Sequence, residues 1–152
     1  MMRSVRLENP AATYSFAQRL AAHLGAADVI LLTGDLGTGK TTLARGVISA
    51  LCGVDDAPSP TYTIVQTYDL PDGGELWHAD LYRIEDASEL EELGLEDAFD
   101  MAVCLVEWPD RLGEHLPPDR LEIRLETLEG SPTGREARLT GFGRWETRID
   151  DI

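Results

Sequence analysis

Apolar and polar residues follow one another along this chain of 152 residues in blocks the length of single strands and helices. Val29–Thr33 and Val103–Val106 are almost entirely apolar, which is typical of strands buried on both faces of a sheet. Apolar residues recur with helical spacing over Thr13–Leu24 and Lys40–Leu51, and a glycine follows each segment as a stop signal. The pattern predicts helices packed against a sheet with buried central strands.

Shorter segments complete the predicted sheet. Thr63–Tyr68 and Leu76–Asp80 flank a turn with the sequence Pro-Asp-Gly-Gly, which predicts an antiparallel hairpin. The remaining predicted elements are three strands and one short helix: Ser4–Glu8, Leu121–Leu125, Ala137–Thr140 and, for the helix, Ser88–Leu93. Helices on both sides of buried strands indicate a three-layer α/β domain with a mixed, mainly parallel sheet. We expect one domain over residues 1–152, with a loosely ordered tail after about residue 141.

The composition excludes several classes of protein. Acidic residues number 28 against 13 basic ones, and this net charge of −15 disfavours direct binding to a phosphate backbone. No apolar run approaches the roughly 18 residues of a membrane span, and the chain begins without a long apolar segment, so we expect a cytoplasmic protein. Two cysteines are too few for a disulfide framework, and the three histidines show no zinc-ligand spacing.

A glycine-rich segment carries the clearest chemical signal. Gly34–Thr41 matches the phosphate-loop pattern G-x-x-x-x-G-K-S/T between a predicted strand and a predicted helix. Its glycines let the backbone wrap around phosphate oxygens, and the helix N-terminus presents free N–H groups to the anion. Lys40, which is the only lysine, would reach the β- and γ-phosphates, and the Thr41 hydroxyl would bind Mg²⁺. An unliganded glycine-rich turn is the disfavoured alternative.

The base is expected to be adenine. Guanine-specific GTPases usually carry an N-K-x-D element, and the chain holds a single asparagine, Asn9, far from its single lysine. That element is therefore absent, and ATP is favoured over GTP.

Two carboxylates end predicted strands and are candidates for the catalytic machinery. Asp80 ends one strand and Glu107 directly follows another, where a phosphate-loop site needs an acid for the metal shell. One of them would tune the metal and the other would position the attacking water, and the residues alone do not assign the roles. His78 and Trp108 flank these acids, either as packing residues or as parts of the site.

Three further segments have both a functional and an ordinary interpretation. The hydroxyls of Ser59–Thr63 could sense a γ-phosphate, although an ordinary proline-containing loop is favoured on spacing alone. Residues 85–97 hold seven acids and no base, which favours a solvated helix face over a docking surface for a basic partner. Either Arg135 or Arg138 could reach the nucleotide.

The collected motifs resemble one family in their order and spacing. They are Gly34–Thr42, Ser59–Thr63, the H-A-D-L-Y-R segment His78–Arg83, Glu89–Leu90 with Leu93–Gly94, and Leu105–Pro109. Together they are similar to the TsaE family of small bacterial ATPases, over roughly residues 13–139. The resemblance implies a P-loop α/β fold and binding of ATP with Mg²⁺, with weak hydrolysis by the isolated protein.

The resemblance also implies a biological role. TsaE proteins act in the biosynthesis of threonylcarbamoyladenosine at adenosine 37 of tRNA, together with TsaD and TsaB. Their ATP cycle would reset the TsaB–TsaD complex, so tRNA would be met only indirectly through that complex, and no membrane is involved.

Residue roles follow from the same resemblance. Thr41 and Glu107 match magnesium ligands, and Asp80 matches an acid required for hydrolysis, so Asp80, Glu107 and Lys40 are the catalytic candidates. Thr61 falls in the switch loop of the family. Three groups of residues are implied in nucleotide binding. The phosphate cradle consists of Gly37, Thr38, Gly39, Lys40, Thr41 and Thr42. Arg135 matches a basic residue near the nucleotide, and Thr13 lies in the region near the adenine.

Two alternative functions share the phosphate loop. A small-molecule kinase usually needs an arginine-rich lid, and only Arg111 and Arg120, around a short segment, could supply one. A nucleotide-gated binding module would keep ATP affinity without significant turnover.

Overall fold

The computed structural model describes residues 2–35, 37–61 and 63–152, so Leu36 of the phosphate loop and Tyr62 of the Ser59–Thr63 motif lie outside the described residues. The seven strands are β1 Met2–Leu7, β2 Val29–Thr33, β3 Val65–Asp69, β4 Glu75–Asp80, β5 Val103–Glu107, β6 Arg120–Thr127 and β7 Arg135–Phe142. The helices are α1 Pro10–Ala21, α2 Lys40–Cys52, α3 Ala87–Leu93, α4 Leu95–Phe99 and α5 Trp145–Arg148, and 3-10 turns cover Pro109–His115 and Ile149–Asp151.

The strands form one mixed sheet in the order β1-β7-β6-β2-β5-β4-β3. The central pairings β6–β2, β2–β5 and β5–β4 are parallel, and the outer pairings β1–β7, β7–β6 and β4–β3 are antiparallel. The mixed sheet and the β3–β4 hairpin agree with the prediction, although half of these pairings are parallel rather than most. The difference arises at one end of the sheet, where β7 pairs antiparallel with both β6 and β1.

Alternate residues of the central strand β2 face different helices. Ile30 and Leu32 pack in one core cluster with residues of α1 and α2, such as Phe16 and Leu43. Val29 and Leu31 point to the opposite face and pack with residues of α3, α4 and the neighbouring strands. This alternation produces the predicted three layers, because every second side chain of a strand points to the same face.

Helix α1 begins earlier than its apolar pattern indicates. Asn9 caps it, since its side-chain oxygen accepts a hydrogen bond from the Ala12 N–H at 2.8 Å, and Pro10 occupies the first turn. The predicted start at Thr13 was therefore about one turn late.

The tail after residue 141 differs from the expectation of loose order. Trp145 and Ile149 are buried in the core cluster that α1 and α2 share. The Arg148 guanidinium donates to both carboxylate oxygens of Asp28 at 2.7 and 3.0 Å, and to the His23 carbonyl at 2.6 Å. These contacts hold a short segment that has too few residues to form a stable helix alone.

None of the helices in the described ranges combines the length and the apolar character that a membrane crossing needs.

Candidate active site

The candidate active site is a pocket at the edge of the sheet where β2, β4 and β5 end. Asp80 pairs with Glu107, and Leu32 pairs with Glu107 on the other side, so the carboxyl ends of the three parallel strands coincide. This edge is where ligands bind in α/β sheets. A pocket of about 290 Å³ is lined by nine residues of these ends and of the phosphate loop: Gly37, Gly39, Lys40, Thr41, Thr42, Thr61, Asp80, Glu107 and Trp108.

Glycines shape the phosphate loop that joins β2 to α2. Gly34, Gly37 and Gly39 have φ angles of 137°, 80° and 97°, in the region that side chains other than glycine rarely adopt. A Cβ atom on Gly34 would lie 2.4 Å from the carbonyl oxygen of Leu125 in β6. Glycine at this position therefore allows the loop to lie directly against the neighbouring strand.

Lys40 begins helix α2, and its side chain folds back over the loop. The Nζ atom donates to the carbonyls of Gly34 at 2.5 Å and Asp35 at 3.2 Å, and it lies 4.1 Å from the centre of the Trp108 ring. Burial lowers the pKa of the Lys40 ammonium, an effect that the nearby carboxylates, Glu107 first, oppose. Because the Trp108 ring lies against the Lys40 ammonium and lines the pocket, Trp108 belongs to the site and is more than a packing residue.

Thr41 and Glu107 lie together, as expected for shared metal ligands. The Thr41 hydroxyl is 3.1 Å from Oε1 and 3.3 Å from Oε2 of Glu107, whose side chain is almost fully buried. A hydroxyl and a carboxylate beside a phosphate-binding loop form the small set of oxygen donors that Mg²⁺ uses with nucleotides. The residues present thus fit the ion that the phosphate-loop motif implies.

Asp80 also lines the pocket, and two hydrogen-bond donors hold its carboxylate. The Thr61 hydroxyl lies 3.2 Å from Oδ2, and the Tyr82 backbone N–H donates to Oδ1 at 3.0 Å. The hydroxyl of Ser59 is 2.7 Å from that of Thr61. The loop that contains Ser59 and Thr61 is therefore connected through Asp80 to the strand ends that line the pocket.

Arg135 contacts the phosphate loop from outside the pocket. Its guanidinium donates to the carbonyls of Thr38 at 3.0 Å and Gly37 at 3.2 Å, and also to Gly134 at 2.7 Å and Pro132 at 3.3 Å. It is not among the residues that line the pocket. Of the two candidate arginines, Arg138 instead pairs with Glu126 and Glu136 on the exposed face of the sheet.

Thr13 lies on helix α1 and is only 4% exposed. It lines neither the phosphate pocket nor the adjoining pocket, which contains the next residue, Tyr14.

This adjoining pocket of about 340 Å³ meets the phosphate pocket at Thr42. It is lined by Tyr14, Thr42, Arg45, Ser49, Asp55 and Asp56. A chain of hydrogen bonds crosses it from the Tyr14 hydroxyl to Ser49 and from Ser49 to Asp55, both at 2.8 Å. Sequence reasoning missed this set, although the helical spacing of Thr42, Arg45 and Ser49 places them on one face of α2.

The seven acids of residues 85–97 are all exposed, whereas Leu90 and Leu95 between them are buried. Asp86 and Glu89 form a capping box at the start of α3. This arrangement agrees with a solvated helix face, and a docking role stays a prediction.

Comparisons with known proteins were consistent with one another. Residues 7–137 match the family model described as threonylcarbamoyl adenosine biosynthesis protein TsaE. The tRNA threonylcarbamoyladenosine biosynthesis protein TsaE of Bacillus subtilis is 39% identical, over 97% of this chain and 91% of that protein. The protein of the same name from Haemophilus influenzae is 41% identical, over 82% of this chain and 79% of that protein. The crystal structure of Bacillus subtilis YdiB superposes with a TM-score of 0.79 at 33% identity, covering 99% of this chain and 93% of that one.

Proposed function

The chain belongs to the TsaE family of threonylcarbamoyl adenosine biosynthesis proteins, and from this we propose that it is a Mg²⁺-dependent ATPase acting on the TsaB–TsaD complex. In this role it hydrolyses ATP weakly alone and faster with its partners. Its turnover would support the modification of tRNA without direct binding of the tRNA.

The observation that carries the proposal is the contact between the Thr41 hydroxyl and the Glu107 carboxylate at 3.1 Å, beside the buried ammonium of Lys40. Thr41 and Glu107 would hold Mg²⁺, which neutralises phosphate charge when it is bound. Lys40 is positioned to exchange its carbonyl partners in the loop for phosphate oxygens. Such an exchange replaces neutral acceptors by charged ones, which strengthens the hydrogen bonds.

Asp80 is the candidate for orienting the attacking water. Its carboxylate is 5% exposed and faces the pocket, and Thr61 is hydrogen-bonded to one of its oxygens. A fixed carboxylate at this position can accept a proton from water and orient the oxygen toward the γ-phosphate. Thr61 would in turn respond to the γ-phosphate, because it lines the same pocket and its hydroxyl lies 3.2 Å from the Asp80 carboxylate.

The adjoining pocket is the proposed place for the nucleoside. It meets the phosphate pocket at Thr42, and it offers the Tyr14 ring beside the polar groups of Ser49 and Arg45. An aromatic ring with a few polar groups suits a base and a ribose.

The charge of the chain supports a protein partner rather than RNA. A net charge of −15 repels a phosphate backbone, and all seven acids of residues 85–97 are exposed. A basic surface of the TsaB–TsaD complex is the proposed counterpart.

The positions of Arg111 and Arg120, the two arginines that a kinase lid would need, do not favour the kinase alternative. Arg111 contacts the Tyr82 carbonyl at 3.4 Å, and Arg120 pairs with Glu122 at 2.8 Å. Neither of them lines the phosphate pocket.

The test is the release of free phosphate from Mg-ATP, measured with the chain alone and with added TsaB and TsaD. A weak basal rate that rises with the pair supports the proposal. Tight ATP binding and association with the pair without any rise would instead support a nucleotide-gated module. Formation of ADP without free phosphate in the presence of an acceptor would identify a kinase.

A further inference from the structure

His78 is a buried polar residue that the proposed mechanism does not use. It lies in the middle of strand β4 and is 0% exposed. It shares a face of the strand with Asp80, because it is two residues away. In the register of β4 and β5, His78 pairs with Leu105 and Asp80 pairs with Glu107, so the imidazole reaches diagonally to the neighbouring strand.

The imidazole contacts the carboxylate of Glu107. Its Nε2 atom is 2.6 Å from Oε2, a short distance typical of a hydrogen bond to a charged acceptor. Both side chains are buried, at 0% and 3% exposure, so water does not compete for this contact. The hydrogen bond is therefore stronger than a similar pair on the surface.

The other ring nitrogen identifies the tautomer. Within the described part of the chain, Nδ1 of His78 is buried and has no hydrogen-bond partner. A proton on Nδ1 would leave a buried N–H without an acceptor, while the carboxylate beside Nε2 can only accept. The arrangement thus fits a ring that carries its proton on Nε2 and donates it to Glu107.

This hydrogen bond distinguishes the two oxygens of Glu107. Oε2 accepts from His78, while Oε1 is the oxygen closer to the Thr41 hydroxyl, at 3.1 Å against 3.3 Å. A carboxylate held by one oxygen cannot rotate freely, so the hydrogen bond from His78 favours the orientation in which Oε1 is the oxygen nearer to Thr41.

We propose that His78 is a positioning residue, which holds Glu107 by Oε2 so that Oε1 and the Thr41 hydroxyl face the bound Mg²⁺ together. The inference rests on the proposed nucleotide and magnesium site. It adds a residue that sets the affinity for the ion without touching the nucleotide. Hydrogen-bond partners of metal-binding carboxylates typically change metal affinity by about 10–100-fold when they are removed.

Two amide substitutions separate this role from simple filling of the core. In His78→Gln the amide N–H can occupy the place of Nε2, whereas in His78→Asn the shorter side chain ends near the place of Nδ1. Both variants bury an amide of the same chemistry, so they share its desolvation cost. Only the first can restore the hydrogen bond to Glu107.

The readout is the Mg²⁺ concentration that half-saturates the binding of a fluorescent ATP analogue, with binding in EDTA as the metal-free baseline. We expect this concentration to rise at least about ten-fold in His78→Asn and to stay within about three-fold of the native value in His78→Gln. The baseline in EDTA stays unchanged in both. Equal Mg²⁺ requirements in the two variants, or a change confined to the EDTA baseline, would overturn the proposal.

A second measurement uses the native chain and does not depend on the folding of a variant. Long-range ¹H–¹⁵N spectra report which ring nitrogen carries the proton, and only His23 and His115 must be distinguished from His78. A proton on Nε2 of His78 is expected, and a ring that carries its proton on Nδ1 with none on Nε2 would overturn the proposal. If the native chain binds the ATP analogue without any effect of Mg²⁺, the proposed magnesium site itself fails, which is a separate result.

Discussion

The Arg135 side chain connects the phosphate loop to the end of the sheet, and its removal gives a quantitative test. Its guanidinium donates to the carbonyls of Gly37 and Thr38, which belong to the loop, and to those of Pro132 and Gly134, which precede β7. In Arg135→Ala the two loop carbonyls lose these donors. The loop then becomes less ordered before ATP binds, and ATP affinity should fall.

The magnitude follows from the two bonds to the loop. A hydrogen bond from a charged donor contributes about 1.5–3 kcal/mol when it is buried, and less where solvent competes. Arg135 is only partly buried, so we assign about 1 kcal/mol to each of its two bonds to Gly37 and Thr38. Without these bonds, ordering the loop costs about 2 kcal/mol of the free energy of ATP binding. This cost weakens ATP binding by about thirty-fold.

The assay is titration calorimetry of Mg-ATP, with Arg138→Ala as the matched control. Arg138 is the same residue type on the same strand, but it pairs with exposed acids away from the loop. We expect the control to bind ATP within about two-fold of the native affinity. Arg135→Lys should resemble Arg135→Ala, because an ammonium cannot span two carbonyls as the guanidinium fork does. Native affinity in Arg135→Ala would refute the reasoning, and native affinity in Arg135→Lys alone would indicate a direct charge contact with the nucleotide.

Three further substitutions have defined outcomes. Lys40→Ala should weaken ATP binding by about 100-fold or more, because the phosphates lose a charged donor worth about 3 kcal/mol, and retained affinity in calorimetry would contradict the site. Asp80→Ala should leave ATP affinity near its native value while phosphate release slows by about 100-fold or more; a loss of affinity would make Asp80 a metal ligand or a folding residue. Arg148→Ala should destabilise the fold by about 2–3 kcal/mol and lower Tm by about 5–10 °C, since Asp28 stays buried without its partner. Circular dichroism during heating measures that effect. Arg144→Ala at an exposed ion pair should change Tm much less, and equal shifts would show that the partly buried Arg148–Asp28 pair contributes no more than an exposed one.

The residues that would carry the chemistry of the site could be predicted from the sequence, because each of them has a local sequence signal. The phosphate loop has a fixed pattern, and Asp80 and Glu107 mark the ends of apolar strands. The carboxyl ends of parallel strands meet at one edge, so these acids were expected near the loop. The structure brings Lys40, Thr41, Asp80 and Glu107 together around one pocket, and their roles in catalysis and metal binding stay predictions.

The contacts that support these residues could not be predicted from the sequence, because they depend on the register of the strands and on partners that are distant along the chain. The contact between His78 and Glu107 requires the alignment of β4 with β5, which no local pattern encodes. Arg135 contacts Thr38 across 97 residues of sequence. The family resemblance implied a basic residue near the nucleotide at this position, but it did not distinguish contact with ATP from contact with the loop.

The packing of the C-terminal segment has a practical consequence for choosing where to cut or tag the chain. The match to the family model ends at residue 137, yet β7 continues to Phe142 and Trp145 is buried against the core. A shortened gene that stops at the family boundary would divide a strand and leave a hole the size of an indole, so we expect its product to collect in inclusion bodies. The last residue, Ile152, is itself 9% exposed, whereas Met2 is 68% exposed. Affinity tags for purification therefore belong at the N-terminus.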